Sequence, residues 1–270
     1  FRVAGKPVKA FLSVADARAI LGRALPDEAS WIQCNLDLAH MSLERTRLAI
    51  QAGTLRDLVE RRCYSSAWAV SLLRHLELEH SFLESASPSH RAVELRCMTQ
   101  ESLWMPEVER YRRRLRETYQ PPKAEILLLF PCSARKPYKT SRSHRAYARG
   151  LDDSGMRPRL HEVMITSPLG IVPREVEEVY PAQAYDIPVT GNWTEDEKHL
   201  VRQQLSALLA KGNYTKVIVH AGKGTFNVLR DLLPADTIHT VATHPTDRAD
   251  LAKLLETLVA IRTALGPQDL

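Results

Sequence analysis

Residues 131 to 144 read Pro-Cys-Ser-Ala-Arg-Lys-Pro-Tyr-Lys-Thr-Ser-Arg-Ser-His, a thiol set among cations and hydroxyls directly after an apolar block. A cysteine attacks an electrophile as its thiolate, and nearby cations or a helix N-terminus stabilise that form. Arg135, Lys136, Lys139 and His144 provide the cations; a helix opening near Ser141 provides the N-terminus, with Tyr138 and Ser141 as hydroxyl donors. The pattern points to nucleophilic catalysis by Cys132. A plainer alternative is a buried structural cysteine beside a solvated basic loop.

A second cluster follows in "ITSPLGIVPREVEEVYPAQAYDIPVTGNW". Ser167, Pro168 and Gly170 come directly after an apolar run, ahead of an expected helix whose first N–H groups are free to bind a polar ligand. Tyr180, Tyr185 and Trp193 offer flat faces on which a heterocycle can stack, and Glu175 and Asp186 are the acids in reach. The competing reading is a Pro-rich connection with aromatics filling gaps. A third loop, "HAGKGTFN", brings His220 and Gly222 to the substrate-binding set, although it lacks the full phosphate-loop pattern. His244 in "THPT" reads more readily as part of a capping turn than as a base. Cys63 and Cys97 fall in helical patterns and read as core or surface residues without a chemical role. The run Arg110 to Arg116 is a solvated helix face or a patch for phosphates.

These side chains need a scaffold, and the chain changes rhythm near "QPPK" at 120 to 123. Before it the pattern is helical: Leu36, Leu43, Ile50, Leu55 and Leu58 recur at helical spacing around Gly53, and Trp68, Leu72, Leu76 and Phe82 form a further stripe. "PEVERYRRRLRETY" makes a last basic helix. After it, "EILLLF", "EVMITS", "KVIVHA" and "TIHTVA" are strand-length apolar blocks, as expected for strands buried on both faces. Helices are expected between them: near Ser141, at "PREVEEV" with Pro173 in the first turn, from Thr194 as N-cap, in "GTFNVLRDLL", and in the final segment. Such alternation predicts an α/β fold with a three-layer parallel sheet over 120–270, its ligands at the carboxyl ends of the strands. A smaller, mainly helical domain is expected over 1–119.

The 270 residues suffice for two such cores, and 44% hydrophobic with 26% charged residues is ordinary for a globular protein. No apolar run approaches the ~20 residues of a membrane helix, and "FRVAGKPVKAFL" lacks signal-peptide features. The missing initial Met leaves a fragment or a processed product open. Four widely spaced cysteines fit a reduced, cytoplasmic protein, and a net charge of +5 suits polyanions.

Pro131-Cys132, three residues, Lys136-Pro137-Tyr138, two residues, Ser141, two residues and His144 resemble the signature of the archaeosine synthase family at every position. The segments from Thr166 to Trp193, "HAGKG" and "THPT" are also similar to that family's core domain. The resemblance implies a core like the uracil-DNA glycosylase fold; no cofactor or metal is expected. It implies conversion of the nitrile of 7-cyano-7-deazaguanine, carried in transfer RNA, to an amidine. Free lysine would give the amine, and a partner enzyme would later release the base. Cys132 is then the nucleophile, His144 and Lys136 its stabilisers, and Tyr138 or Asp186 the proton donor; Asp186 would alternatively hold the ring edge. Residues 1–118 resemble the tail of a transglycosylase-like domain, with Cys34 where that domain has a zinc histidine and without its upstream cysteines, so no zinc site is expected. Members of that family often carry a further RNA-binding domain, which is not expected within these 270 residues, and free base, nucleoside or other nucleic acid stay open as substrates. A non-catalytic module binding a modified base or RNA, and a base-exchanging glycosylase-like enzyme, are the rival readings.

Overall fold

The computed structural model describes residues 2–3, 6–7, 28–187, 192–244 and 247–265; residues 188–191 of the second cluster, Pro245 and Thr246 of "THPT", and most of the opening segment lie outside these. Two compact units divide the chain, Phe1–Leu76 and Glu77–Leu270.

In the first unit β1 (Arg2–Val3) pairs antiparallel with β2 (Lys6–Pro7). Helices α1 (Glu28–Gln51), α2 (Leu55–Cys63) and α3 (Ala67–Leu78) follow. Gly53, with φ +68°, makes the turn after α1, a backbone conformation that costs glycine little. Cys34 lies in α1, its side chain outside what is described. Leu36, Leu43, Ile50, Leu55 and Trp68 are exposed, while Leu38, Cys63 and Leu73 are buried. Helical spacing thus located the elements but not the covered face.

The division at Leu76 corrects the expected boundary at 119/120. "QPPK" ends a helix without ending a domain, because the preceding segments are built into the second core. After α4 (His80–Ala86), β3 (Leu95–Arg96) pairs in parallel with β7 (Tyr185–Asp186). Helix α5 (Pro106–Glu117) buries Val108, Tyr111 and Leu115 in the same apolar cluster as the main sheet. Its arginines explain that docking. Arg110 donates to Glu84 Oε1 and to the carbonyls of Glu84, Ser87 and Pro88, and Arg112 donates to the carbonyls of Leu103 and Pro168. The basic run is therefore mostly internal wiring, with Arg114 left exposed.

The main sheet has strand order β6-β5-β4-β8-β9, formed by β4 (Ile126–Pro131), β5 (Leu160–Thr166), β6 (Gly170–Pro173), β8 (Lys216–Ala221) and β9 (Ile238–Val241). Four strands run parallel where the apolar blocks predict them. β6 is antiparallel, so the sheet is mixed and the parallel-only expectation is corrected. Ile126 to Phe130 are wholly buried, as a central strand covered on both faces requires. The helix expected from Pro173 is only a 3₁₀ turn over Arg174–Val176.

Helices flank the sheet in two groups. α6 (Arg142–Ser154) packs on α9 (Arg248–Leu265) through Gly150, where a Cβ would sit 3.0 Å from Leu255 Cδ1. α7 (Glu195–Lys211) packs on α5, on β6 and on α8 (Lys223–Leu229). Thr194 caps α7 in a reciprocal capping box with Glu197. None of the helices among the described residues is long and apolar enough to cross a membrane.

Candidate active site

Cys132 is the first residue after β4, at the carboxyl end of the central strand. There a cleft of about 890 Å³ opens, with Cys132, Ser167, Trp193, Glu197, Arg202 and Asn227 in its walls. β4 and β5 pair in register with Pro131 beside Ile165, so Cys132 and Thr166 leave the sheet as neighbours. Burial pushes the Cys132 thiol up; the Lys136 ammonium and hydrogen bonding with the Thr166 hydroxyl act the other way. Lys136 Nζ lies 4.1 Å from the centroid of the Tyr185 ring, a cation–π contact that seats it against the buried aromatics. Burial lowers its pKa, opposed first by Cys132 and then by Asp186. Sulfur, ammonium and carboxylate thus form one electrostatic group.

His144 differs from the expectation that it charges beside the sulfur. Its Nε2–H faces the Pro131 carbonyl at 3.1 Å, and Nδ1 accepts from Arg174 Nη2 at 3.1 Å. Burial and the Arg174 guanidinium hold its pKa down at about 3, so the ring is neutral with both nitrogens engaged. It ties the end of β4 to Arg174, which also donates to Glu162 and Glu177. Ser141 is the N-cap of α6, accepting from the His144 N–H at 3.2 Å, rather than a group that faces substrate. Tyr138 is wholly buried, and its hydroxyl lies 2.5 Å from that of Tyr185, which lies 2.6 Å from Thr166 Oγ1. Neither phenol reaches the cleft as a proton donor to substrate or, for Tyr185, as a stacking face. Lys139 pairs with Glu178 at 2.7 Å, and Arg135 is exposed.

From the second cluster, the cleft takes Ser167 and Trp193. Ser167 Oγ donates to Glu197 Oε1 at 2.6 Å. Pro168 is buried with its carbonyl bound by Arg112, and Gly170 is a structural turn: its φ is +84° and a Cβ there would lie 2.5 Å from Gln204 Cγ. Glu175 belongs elsewhere. Because β6 runs back along β5, it joins Tyr119, His161 and Tyr214 at the opposite end of the sheet. Tyr180 packs edge-on to His90 at 5.6 Å. His220 is buried, Nδ1 3.0 Å from Thr240 Oγ1, with burial holding its pKa at about 4. Gly222 caps α8, while Gly224 lines the cleft; His244 is exposed in the turn before α9. Cys63 and Cys97 are both buried, Cys63 at the end of α2 and Cys97 directly after β3 rather than in the helix its surroundings suggest.

Three residues of the site escaped the sequence. Thr166, Arg174 and Glu197 act through bonds made across elements: to Tyr185, to His144 and to Ser167. Only Thr166 left a signal, as the last residue of a strand adjacent to that of Cys132. Among the described residues, no three His, Cys, Asp or Glu side chains are grouped to hold a metal ion.

Residues 108–258 match a family model described as a domain of unknown function, DUF5591. The chain is 39% identical over 249 residues to the archaeosine synthase subunit alpha of Methanosarcina acetivorans, covering 90% of this chain and 39% of that protein. It is 36% identical to the archaeosine synthase of Haloferax volcanii, covering 83% of this chain and 38% of that one. The tRNA-guanine(15) transglycosylase of Methanobrevibacter smithii is 28% identical over 78% of this chain and 31% of its own length. The chain therefore spans about two fifths or less of the relatives it matches.

Proposed function

The chain belongs to the DUF5591 domain family, and on that premise we propose that its α/β unit converts a nitrile to an amidine with Cys132 as covalent nucleophile. The substrate is 7-cyano-7-deazaguanine, borne by transfer RNA, a reading supported by the names of the relatives. One observation carries it: a thiol in the cleft wall at the end of the central strand, with an ammonium in its electrostatic reach.

The Cys132 sulfur bonds to the nitrile carbon, one carbon–nitrogen π bond opens, and the nitrogen takes a proton to give a thioimide. Lys136 supplies that proton, since burial makes its ammonium a better acid than an exposed lysine. An amine then adds to the same carbon and the carbon–sulfur bond breaks, leaving amidine and thiolate. Free lysine is the donor implied by the family resemblance. Trp193 offers the stacking face for the deazaguanine ring, and Asp186, exposed beside Lys136, takes the ring edge. The core resembling the uracil-DNA glycosylase fold and a partner subunit, suggested by the name of one relative, belong to the same proposal.

Intact-mass measurement after incubation with the nitrile base tests it. The expected result is an adduct of one base, mapped to Cys132 and absent from Cys132→Ala. Near-normal amidine formation by Cys132→Ala or Cys132→Ser would overturn covalent catalysis.

A further inference from the structure

Three hydroxyls run in a line behind the nucleophile. Tyr138 Oη lies 2.5 Å from Tyr185 Oη, and Tyr185 Oη lies 2.6 Å from Thr166 Oγ1. Thr166 Oγ1 donates to the Ser167 carbonyl at 3.0 Å. Each hydroxyl owns one proton, which fixes the direction of the line. With the Thr166 proton spent on Ser167, Tyr185 must donate to Thr166, and Tyr138 must donate to Tyr185. Tyr138 and Tyr185 are wholly buried and Thr166 nearly so, and burial raises both phenol pKa values well above the ordinary range. The phenols therefore stay protonated, Tyr185 accepting from Tyr138 and donating to Thr166.

The open end of this line is Thr166, which continues β5 where Cys132 continues β4. We propose that Thr166, polarised by Tyr185 and Tyr138 behind it, is the positioning residue that holds the Cys132 sulfur as thiolate. The assignment rests on the reading of Cys132 as nucleophile. In the resting thiol the Thr166 proton sits on the Ser167 carbonyl, which leaves the second lone pair of Oγ1 free to accept from the Cys132 S–H. On ionisation the hydroxyl turns from the carbonyl to the sulfur, giving it a charge-assisted hydrogen bond. Donation from Tyr185 strengthens that bond, because a hydroxyl that accepts one hydrogen bond donates the next more strongly. Lys136 acts from the Tyr185 ring. The sulfur is thus held by a cation and a neutral donor line, and the line needs no proton transfer to work.

The test reads the thiolate without any nitrile. Wild type, Thr166→Val, Thr166→Ser and Tyr185→Phe are alkylated with iodoacetamide across pH, and modification of Cys132 is followed by peptide mass spectrometry. Thr166→Val should move the alkylation midpoint up by about one pH unit, about a tenfold slower reaction at fixed pH below it. Thr166→Ser should restore the profile, and Tyr185→Phe, which keeps the ring under Lys136, should give a smaller shift the same way. An unchanged midpoint in folded Thr166→Val overturns the proposal. If that variant does not fold, an unchanged midpoint in Tyr185→Phe overturns it. Because alkylation is independent of substrate, a shifted midpoint without a nitrile adduct sinks the proposed reaction and leaves this assignment standing. An adduct with an unshifted midpoint does the reverse.

Discussion

His144 Nδ1 accepts a hydrogen bond from Arg174 Nη2 at 3.1 Å, so the imidazole beside the site is kept neutral by burial and by the cation it touches. The family-like spacing that placed a histidine near Cys132 is thereby put to structural use. It fastens the end of β4, and with it the cysteine, to a guanidinium that also holds Glu162 and Glu177.

Acid stability should report that arrangement. His144 and His220 have folded-state pKa values near 3 and 4, below the unfolded value for histidine, so the unfolded chain binds their protons first. Both are neutral in either state above pH ~6.5 and cost nothing there. As pH falls from ~6.5 towards those values, each should reduce stability by up to about 1.4 kcal/mol per pH unit. Denaturant melts of His144→Gln should show a shallower decline over that window; an unchanged slope would mean that the buried imidazole does not resist protonation.

Lys136→Met keeps bulk over the Tyr185 ring and removes the charge. Amidine formation should fall about a hundredfold or more, with Cys132 alkylation displaced to higher pH. Retention of the wild-type alkylation profile would remove Lys136 from the thiolate's surroundings.

Trp193→Ala should weaken binding of the nitrile base about tenfold, the loss of one stacked ring, while Cys132 alkylates as before. Equilibrium binding with Cys132→Ala as background isolates the affinity from the chemistry. Unaltered affinity would place the ring elsewhere in the cleft.

Gly170→Ala joins a positive φ to a clash with Gln204, and should cost about 1–3 kcal/mol in a chemical melt. A full-stability variant with weakened base binding would return Gly170 to the substrate-binding role that its place in the sequence suggests.

The alternation of apolar blocks and capped helices was enough to locate the four parallel strands, the capping of α7 by Thr194 and the placing of Cys132 past the end of the central strand. Local rules decide these, since an apolar run of strand length and a Thr-x-x-Glu box carry their meaning within a few residues. β6 was missed because two prolines and a glycine mask a four-residue edge strand, and the boundary at 119/120 failed because α5 reads as a basic surface helix. Only tertiary contacts show that its arginines reach buried carbonyls.

By itself the sequence determined which side chains gather near the thiol: Lys136, Tyr138, Ser141 and His144 lie within twelve positions of it. Folding decided what each one does. Thr166 comes to the sulfur through strand register, His144 loses its charge to burial and Arg174, and Glu175 is carried to the far end of the sheet by an antiparallel strand. Spacing fixes which residue types are near one another along the chain, whereas protonation and hydrogen-bond direction depend on neighbours that arrive from other elements.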